Sequence, residues 1–261
     1  SAVLLLVYVG ATMEYSRPRS RQDWTAVLAA GLFLIGGTGI GFVAQQFITA
    51  GVAAIIFSLA PVITAVLAWI LLPAEQPSGR DYVGVLIGFV GIAVVIRPDP
   101  ATLLDPAVAG KLLFFLGVVV VELGAVLVRR SETTMPVPAL TGWAMLVGGT
   151  VHLGFSFAVG ESVASVQLTP VSVAIVAYLG IALGVVGLVA YFTLLGEVGA
   201  LRASLTTYLT PLVAVVIGWV LLAERIAPLT FVGFGIIVSG FVVLESREIA
   251  AELARYRGLY R

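Results

Sequence analysis

Few side chains in this 261-residue chain can do chemistry. There is no Cys and one His, His152, so thiolate catalysis, disulfides, Cys-ligated zinc and a multi-His metal centre all lie beyond a single chain. The sharpest candidate is Glu122, set in an apolar run eleven residues after Lys111 and seven before Arg129. At ~1.5 Å of helix per residue, that spacing places it within about one turn of the middle of a bilayer. A charge there costs on the order of 2.5–3.5 kcal/mol on insertion scales, and protonation removes the charge. Such a group can couple a proton or neutralise a cationic substrate group; the structural alternative is a neutral Glu bonded to a neighbouring helix.

Other candidates are less specific. His152 could relay protons, or could equally bond two helices together. Gln45 and Gln46, at the outer end of an apolar run, could meet amides or carboxylates, although paired Gln at a helix end are more often interfacial. Trp143, Tyr178, Tyr191 and Tyr208 could wall a cavity; Tyr208 stands out because it lies three residues before Pro211 on the same helix face. Trp69 and Trp219 fit the aromatic belt at the membrane surface. Pro61 and Pro211 each lack an N–H and clash with the carbonyl four residues back, at Phe57 and Thr207, so a kink or opening usable as a gating hinge is expected at both. No metal site and no cofactor is expected.

The elements that must position these residues follow from composition. The chain is 60% hydrophobic and 11% charged, against about 25% charged in soluble domains. A soluble enzyme, a nucleic-acid binder and a disordered chain are excluded, and the expected class is an all-α integral membrane protein. A hydrocarbon core of about 30 Å takes roughly 20 apolar residues per helix. Cutting at charges and Pro/Gly clusters gives spans 1–13, 25–45, 51–72, 82–97, 111–128, 139–158, 172–195, 200–222 and 229–245. The first is too short to cross alone, leaving a polytopic bundle of eight full spans and one partial. The run Ala2–Ala11 has no basic stretch before it and no cleavage pattern after it, so it reads as the end of a span rather than a signal peptide. Gly196–Gly199 is expected to form a tight hairpin between two spans.

Charge sets the orientation. With the loop after 1–13 in the cytoplasm, Arg17, Arg19, Arg21, Arg80, Arg129, Arg130, Arg202, Arg247, Arg255, Arg257 and Arg261 fall inside, and Arg97, Lys111 and Arg225 outside. A multi-pass protein of the cell membrane with a cytoplasmic C-terminus is expected. The tail Ser246–Arg261 carries Ile249, Leu253, Tyr256 and Tyr260 at helical spacing, as in an interfacial helix or a solvated tail. The pairs Gly37/Gly41, Gly84/Gly88 and Gly180/Gly184 let helices approach closely, which would serve bundle assembly and a homodimer alike.

The chain repeats itself. Leu59–Ala60–Pro61 sits eight residues before Trp69, and Leu209–Thr210–Pro211 eight before Trp219. Glu75 leads by nine and sixteen residues to Gly84 and Gly91, as Glu224 does to Gly233 and Gly240. The division is a first copy at 1–98, a loop at 99–108, a second copy at 109–246 and a tail at 247–261. An odd number of helices per copy inverts one copy relative to the other, the build of many secondary transporters.

Two stretches carry a family resemblance: Ala50-Gly-Val-Ala-Ala-Ile-Ile-Phe-Ser-Leu-Ala-Pro61 with Trp69 and Glu75, and Val198-Gly-Ala-Leu-Arg-Ala-Ser-Leu-Thr-Thr-Tyr-Leu-Thr-Pro211 with Trp219 and Glu224. They resemble the small-residue helix, mid-helix Pro and closing acidic residue of EamA-type transporters in the drug/metabolite transporter superfamily. The likeness covers essentially the whole chain and implies that the family's first span and most of its second are lacking here, so that the intact molecule would have ten spans. The resemblance implies alternating access of two inverted five-helix repeats and transport of a small metabolite across the bilayer, with export favoured and coupling to protons through Glu122 expected. A channel or a non-transporting scaffold is the rival reading. An intramembrane enzyme lacks the necessary groups, since His152 is the only candidate base.

Overall fold

The computed structural model describes residues 2–14, 17–72, 78–96, 105–158, 160, 169–204, 213, 217, 220, 227–244 and 246, with the side chains of 183 and 198–204 excepted. Among the described residues every regular element is helical. In chain order they are α1 (Ala2–Thr12), α2 (Arg21–Leu28), a π-helical segment π1 (Ala29–Ile35), α3 (Thr38–Ala44), α4 (Ala50–Phe57), α5 (Ala60–Leu71), α6 (Gly79–Ile96), α7 (Pro106–Arg130), α8 (Val137–Ala158), α9 (Pro170–Tyr178), a second π segment π2 (Leu179–Gly187), α10 (Leu188–Ser204) and α11 (Pro228–Leu244). Among the described residues, five stretches are long and apolar enough to cross a membrane: Arg21–Ala44, Ala50–Leu71, Gly79–Ile96, Pro106–Arg130 and Pro170–Glu197. The fold is that of an all-α, multi-pass membrane protein.

Several spans begin earlier than the charge boundaries suggested. α7 starts at Pro106 rather than 111, because Pro suits a first helical turn, where an N–H has no partner anyway. Lys111 is kept within the helix by donating from Nζ to the Val95 carbonyl at 3.2 Å. α2 starts at Arg21, where Ser20 and Asp23 form a capping box.

One expectation is overturned. The turn anticipated at Gly196–Gly199 lies inside α10, which continues to Ser204. An isolated Gly costs a helix only about 1 kcal/mol, and a stop normally needs a left-handed residue or a Pro close behind. Among the described residues only Gly160 (φ 82°) and Glu132 (φ 51°) have positive φ.

The chain divides into two compact units, Ser1–Gly39 with Gly117–Ala203, and Ile40–Leu116 with Ser204–Arg261. In the first, α8 is the central strut. Leu6 of α1 packs on Gly142, where a Cβ would come within 2.8 Å of it. Gly31 of π1 and Gly148 of α8 abut so closely that a Cβ on either would press on Val147 or Ile35 at 2.5 Å. Trp24 and Trp143 meet edge to face at 6.1 Å.

In the second unit α6 and α11 cross antiparallel on glycine. A Cβ at Gly84 would meet the Gly240 carbonyl at 2.7 Å, and one at Gly91 the Gly233 carbonyl at 2.9 Å. Gly88 rests on Val62 and Leu59, tying α6 to the α4–α5 stretch. The close approach read from the Gly84/Gly88 pair is therefore realised.

Candidate functional site

Glu122 lies on α7 in a stripe with Val118, Ala125 and Val126, all buried and spaced to share one helix face. It is 2% exposed, among the largest fully enclosed side chains of the molecule. Of the α10 residues, Phe192 and Leu195 are buried, and Tyr191 is close enough for the Glu122 carboxyl to act electrostatically on its phenol.

A cleft of about 400 Å³ opens in the same unit between the end of α7, the start of α8 and α10. Its apolar wall includes Val128, Leu140, Phe192 and Leu195, and its mouth carries Arg129, Glu132 and Glu197. Glu132 holds the left-handed position that ends α7. The volume suits a small organic molecule, and one cation and two carboxylates line it. Phe192 joins this cleft in sequence to Tyr191 and so to Glu122.

His152 turns out to be a bond between helices. Its Nε2 lies 3.0 Å from the Ile35 carbonyl at the end of π1 and 3.3 Å from Thr38 Oγ1, and Thr38 donates to the same carbonyl at 2.7 Å. Trp143 pairs with Trp24 beside the start of α2. Glu122, Tyr191, His152 and Trp143 thus belong to one unit.

Gln45, Gln46 and Pro61 belong to the other. Both Gln are exposed and sit in the turn after α3, their N–H groups donating to the Gly41 and Val43 carbonyls at 2.9 and 3.2 Å. At Pro61 the regular helix is interrupted by two residues: α4 stops at Phe57 and α5 begins at Ala60, with Pro61 in its first turn. Short-range bonds carry the chain through, Leu59 to Ile56 at 3.1 Å and Val62 to Leu59 at 3.0 Å. Ser58 and Thr64, both fully buried, satisfy their hydroxyls on the Ile55 and Ala60 carbonyls. Tyr208 and Pro211 lie outside the described residues, as do Glu75, Trp219, Glu224 and the tail beyond 246.

Two features escape a reading of residues alone. Asp23 is fully buried; its Oδ2 accepts from the Arg19 and Ser20 N–H groups at 2.9 Å each, and its Oδ1 accepts from the Thr133 hydroxyl at 2.7 Å. The spacing Ser20-x-x-Asp23 signals the cap, but nothing local signals Thr133. The π segments are the second feature, foreshadowed only by Gly36–Gly37.

Comparison with known proteins supplies the family. The EamA-like transporter family model matches residues 1–97 and 108–245. The chain is 23% identical over 251 residues to the uncharacterized transporter YvbV of Bacillus subtilis (strain 168), covering 96% of this chain and 81% of that one. It is 27% identical to the uncharacterized inner membrane transporter YedA of Escherichia coli (strain K12), over 94% and 78% of the two chains. To Protein PecM of Dickeya dadantii (strain 3937) it is 28% identical, over 87% and 77%. A solved crystal structure superposes with a TM-score of 0.60 at 17% identity, covering 93% of this chain and 80% of that one, which supports the fold. A helical, multi-pass chain matched over most of its length in this way belongs to the EamA-like transporter family, of the drug/metabolite type, and is a membrane transporter rather than an enzyme.

Proposed function

We propose that this transporter moves a small polar or amphipathic metabolite out of the cell by alternating access between two inverted repeats, with Glu122 coupling the cycle to protons. The observation that carries the reading is Glu122 itself: a fully enclosed carboxyl on a membrane-length helix, in the same unit as Tyr191. A group so placed changes its preferred protonation state whenever the helices around it rearrange, and this links a proton to a conformation. A cleft in the same unit, at the Arg129 end of α7, is of a size to take such a solute.

The α6–α11 crossing supports the repeat. Gly84 and Gly91 correspond by sequence to Gly233 and Gly240, yet Gly84 meets Gly240 and Gly91 meets Gly233. Exchanged contacts of this kind are what a twofold axis produces between equivalent residues, and the antiparallel sense fits an axis in the membrane plane. Pro61 follows the interruption between α4 and α5, where a gate of the first repeat would hinge. The small-residue crossings leave room for a homodimer on other faces.

Proteoliposome transport tests the reading. Glu122→Gln is expected to abolish uptake driven by a pH gradient, by tenfold or more, while sparing substrate exchange. Gradient-driven uptake unchanged in Glu122→Gln removes Glu122 from coupling, and ohmic conductance in place of saturable counterflow establishes a channel instead.

A further inference from the structure

Two helices of the chain pass through the same unusual series of turns. Ser20 caps α2 and Thr169 caps α9, each in a reciprocal capping box with the residue three on, Asp23 or Ser172. Each helix runs for eight or nine residues and then widens into a π segment, π1 at Ala29 and π2 at Leu179. Leu179 follows Ala29 by 150 positions, the interval that separates Pro211 from Pro61, Trp219 from Trp69 and Gly187 from Gly37. Well under 1% of residues adopt this conformation. Two such segments at corresponding places in a duplicated sequence mark an inherited device.

The first segment is held from outside. The Gly36 N–H reaches back five residues to the Gly31 carbonyl at 2.9 Å, and the Gly39 N–H donates to Gly36 at 3.1 Å. In a regular α-helix Gly39 would donate to Ile35 instead. Here the Ile35 carbonyl is engaged by the His152 imidazole and the Thr38 hydroxyl. Gly39 leaves room for the ring, since a Cβ there would stand 3.0 Å from its Cε1 and Nδ1. One turn before His152, Gly148 lets α8 lie directly on Ile35. The side-chain donors and the α-helical ladder therefore compete for one acceptor.

We propose that π1 and π2 are matched register hinges of the transport cycle, and that His152 is the positioning residue that holds π1 in its wide form. This rests on the inverted-repeat transporter reading given above. Closing a wide turn into α-helix advances everything beyond it by one residue, a rotation of about 100° and a shift of ~1.5 Å. At π1 the motion turns α3 and delivers Gln45 and Gln46 to a new direction. At π2 it turns α10 and carries Tyr191 away from Glu122. Wide turns inside helices recur at functional sites, where they let a helix change register without unfolding.

Hydrogen exchange read by mass spectrometry on the full chain, in nanodiscs of phosphatidylethanolamine and phosphatidylglycerol and without substrate, tests both parts. Amides of 29–37 and 179–187 are expected to exchange at least about tenfold faster than those in the flanking α-helical turns of the same spans; equal protection overturns the hinges. His152→Phe should speed exchange at 36–39 by about tenfold and leave 179–187 unchanged, and His152→Gln, which retains an N–H donor, should restore most of the protection. Exchange at 36–39 unchanged in His152→Phe, a uniform loosening of both segments, or no rescue by Gln overturns the latch. Because no solute flux enters these measurements, their failure leaves the Glu122 experiment standing, and failure of that experiment leaves the exchange pattern to be judged on its own.

Discussion

Asp23 spends both carboxyl oxygens on holding the start of α2: Oδ2 closes the cap on Arg19 and Ser20, and Oδ1 receives the Thr133 hydroxyl from the turn after α7. A cap is worth about 1 kcal/mol and a hydrogen bond to a charged group about 1.5–3 kcal/mol. Asp23→Ala is accordingly expected to lower stability by roughly 2–4 kcal/mol, and Asp23→Asn, which keeps an acceptor oxygen, by about half as much. Trp24 and Trp143, 6.1 Å apart, report the loss directly in a thermal melt followed by intrinsic fluorescence; equal melting of wild type and Asp23→Ala would disprove it. At this scale the sequence was partly readable. Glu122 announces itself by standing alone in an apolar run, and the cap by its spacing. Tyr191 as the neighbour of Glu122, and Thr133 as the partner of Asp23, depend on packing between segments about 70 and 110 residues apart, which no local pattern encodes.

Among elements, hydropathy located the five membrane-length stretches of the described residues, because the cost of exposing polar backbone to lipid leaves a helix no alternative. It could not tell α from π within Arg21–Ala44 or Pro170–Glu197, since one extra residue in a turn alters neither the length nor the composition of an apolar run. Nor could it place the end of α10, where Gly196 and Gly199 were given more breaking power than glycine has. Glycine's stronger role is contact. Gly84→Ala and Gly91→Ala each put a methyl group within 3 Å of backbone on α11, and overpacking of this kind costs about 1–3 kcal/mol. Gly154→Ala and Gly235→Ala meet nothing within 4 Å and should be neutral or stabilising by up to ~1 kcal/mol. Melting temperatures of the four purified variants separate these two classes; uniform behaviour would contradict the close crossing.

For the molecule as a whole, orientation is the open prediction. The positive-inside bias sends α7 from outside at Ala107 to inside at Arg130. The absence of native cysteine gives a clean background for labelling. Thr134→Cys should react with a membrane-impermeant maleimide only in inverted vesicles, and Ala107→Cys only in intact cells; both residues are exposed. The opposite pattern would reverse the topology.

The α6–α11 crossing has a further meaning for how such a chain could arise. A surface that offers Gly84 to Gly240 and Gly91 to Gly233 asks nothing of one helix that it does not ask of the other. A half-length forebear bearing that stripe once would already fit a copy of itself inserted the opposite way up. Joining two genes would then have required only a linker, with no new contact to invent, and each later mutation on one side would have met an unchanged counterpart, the start of divergence between the halves.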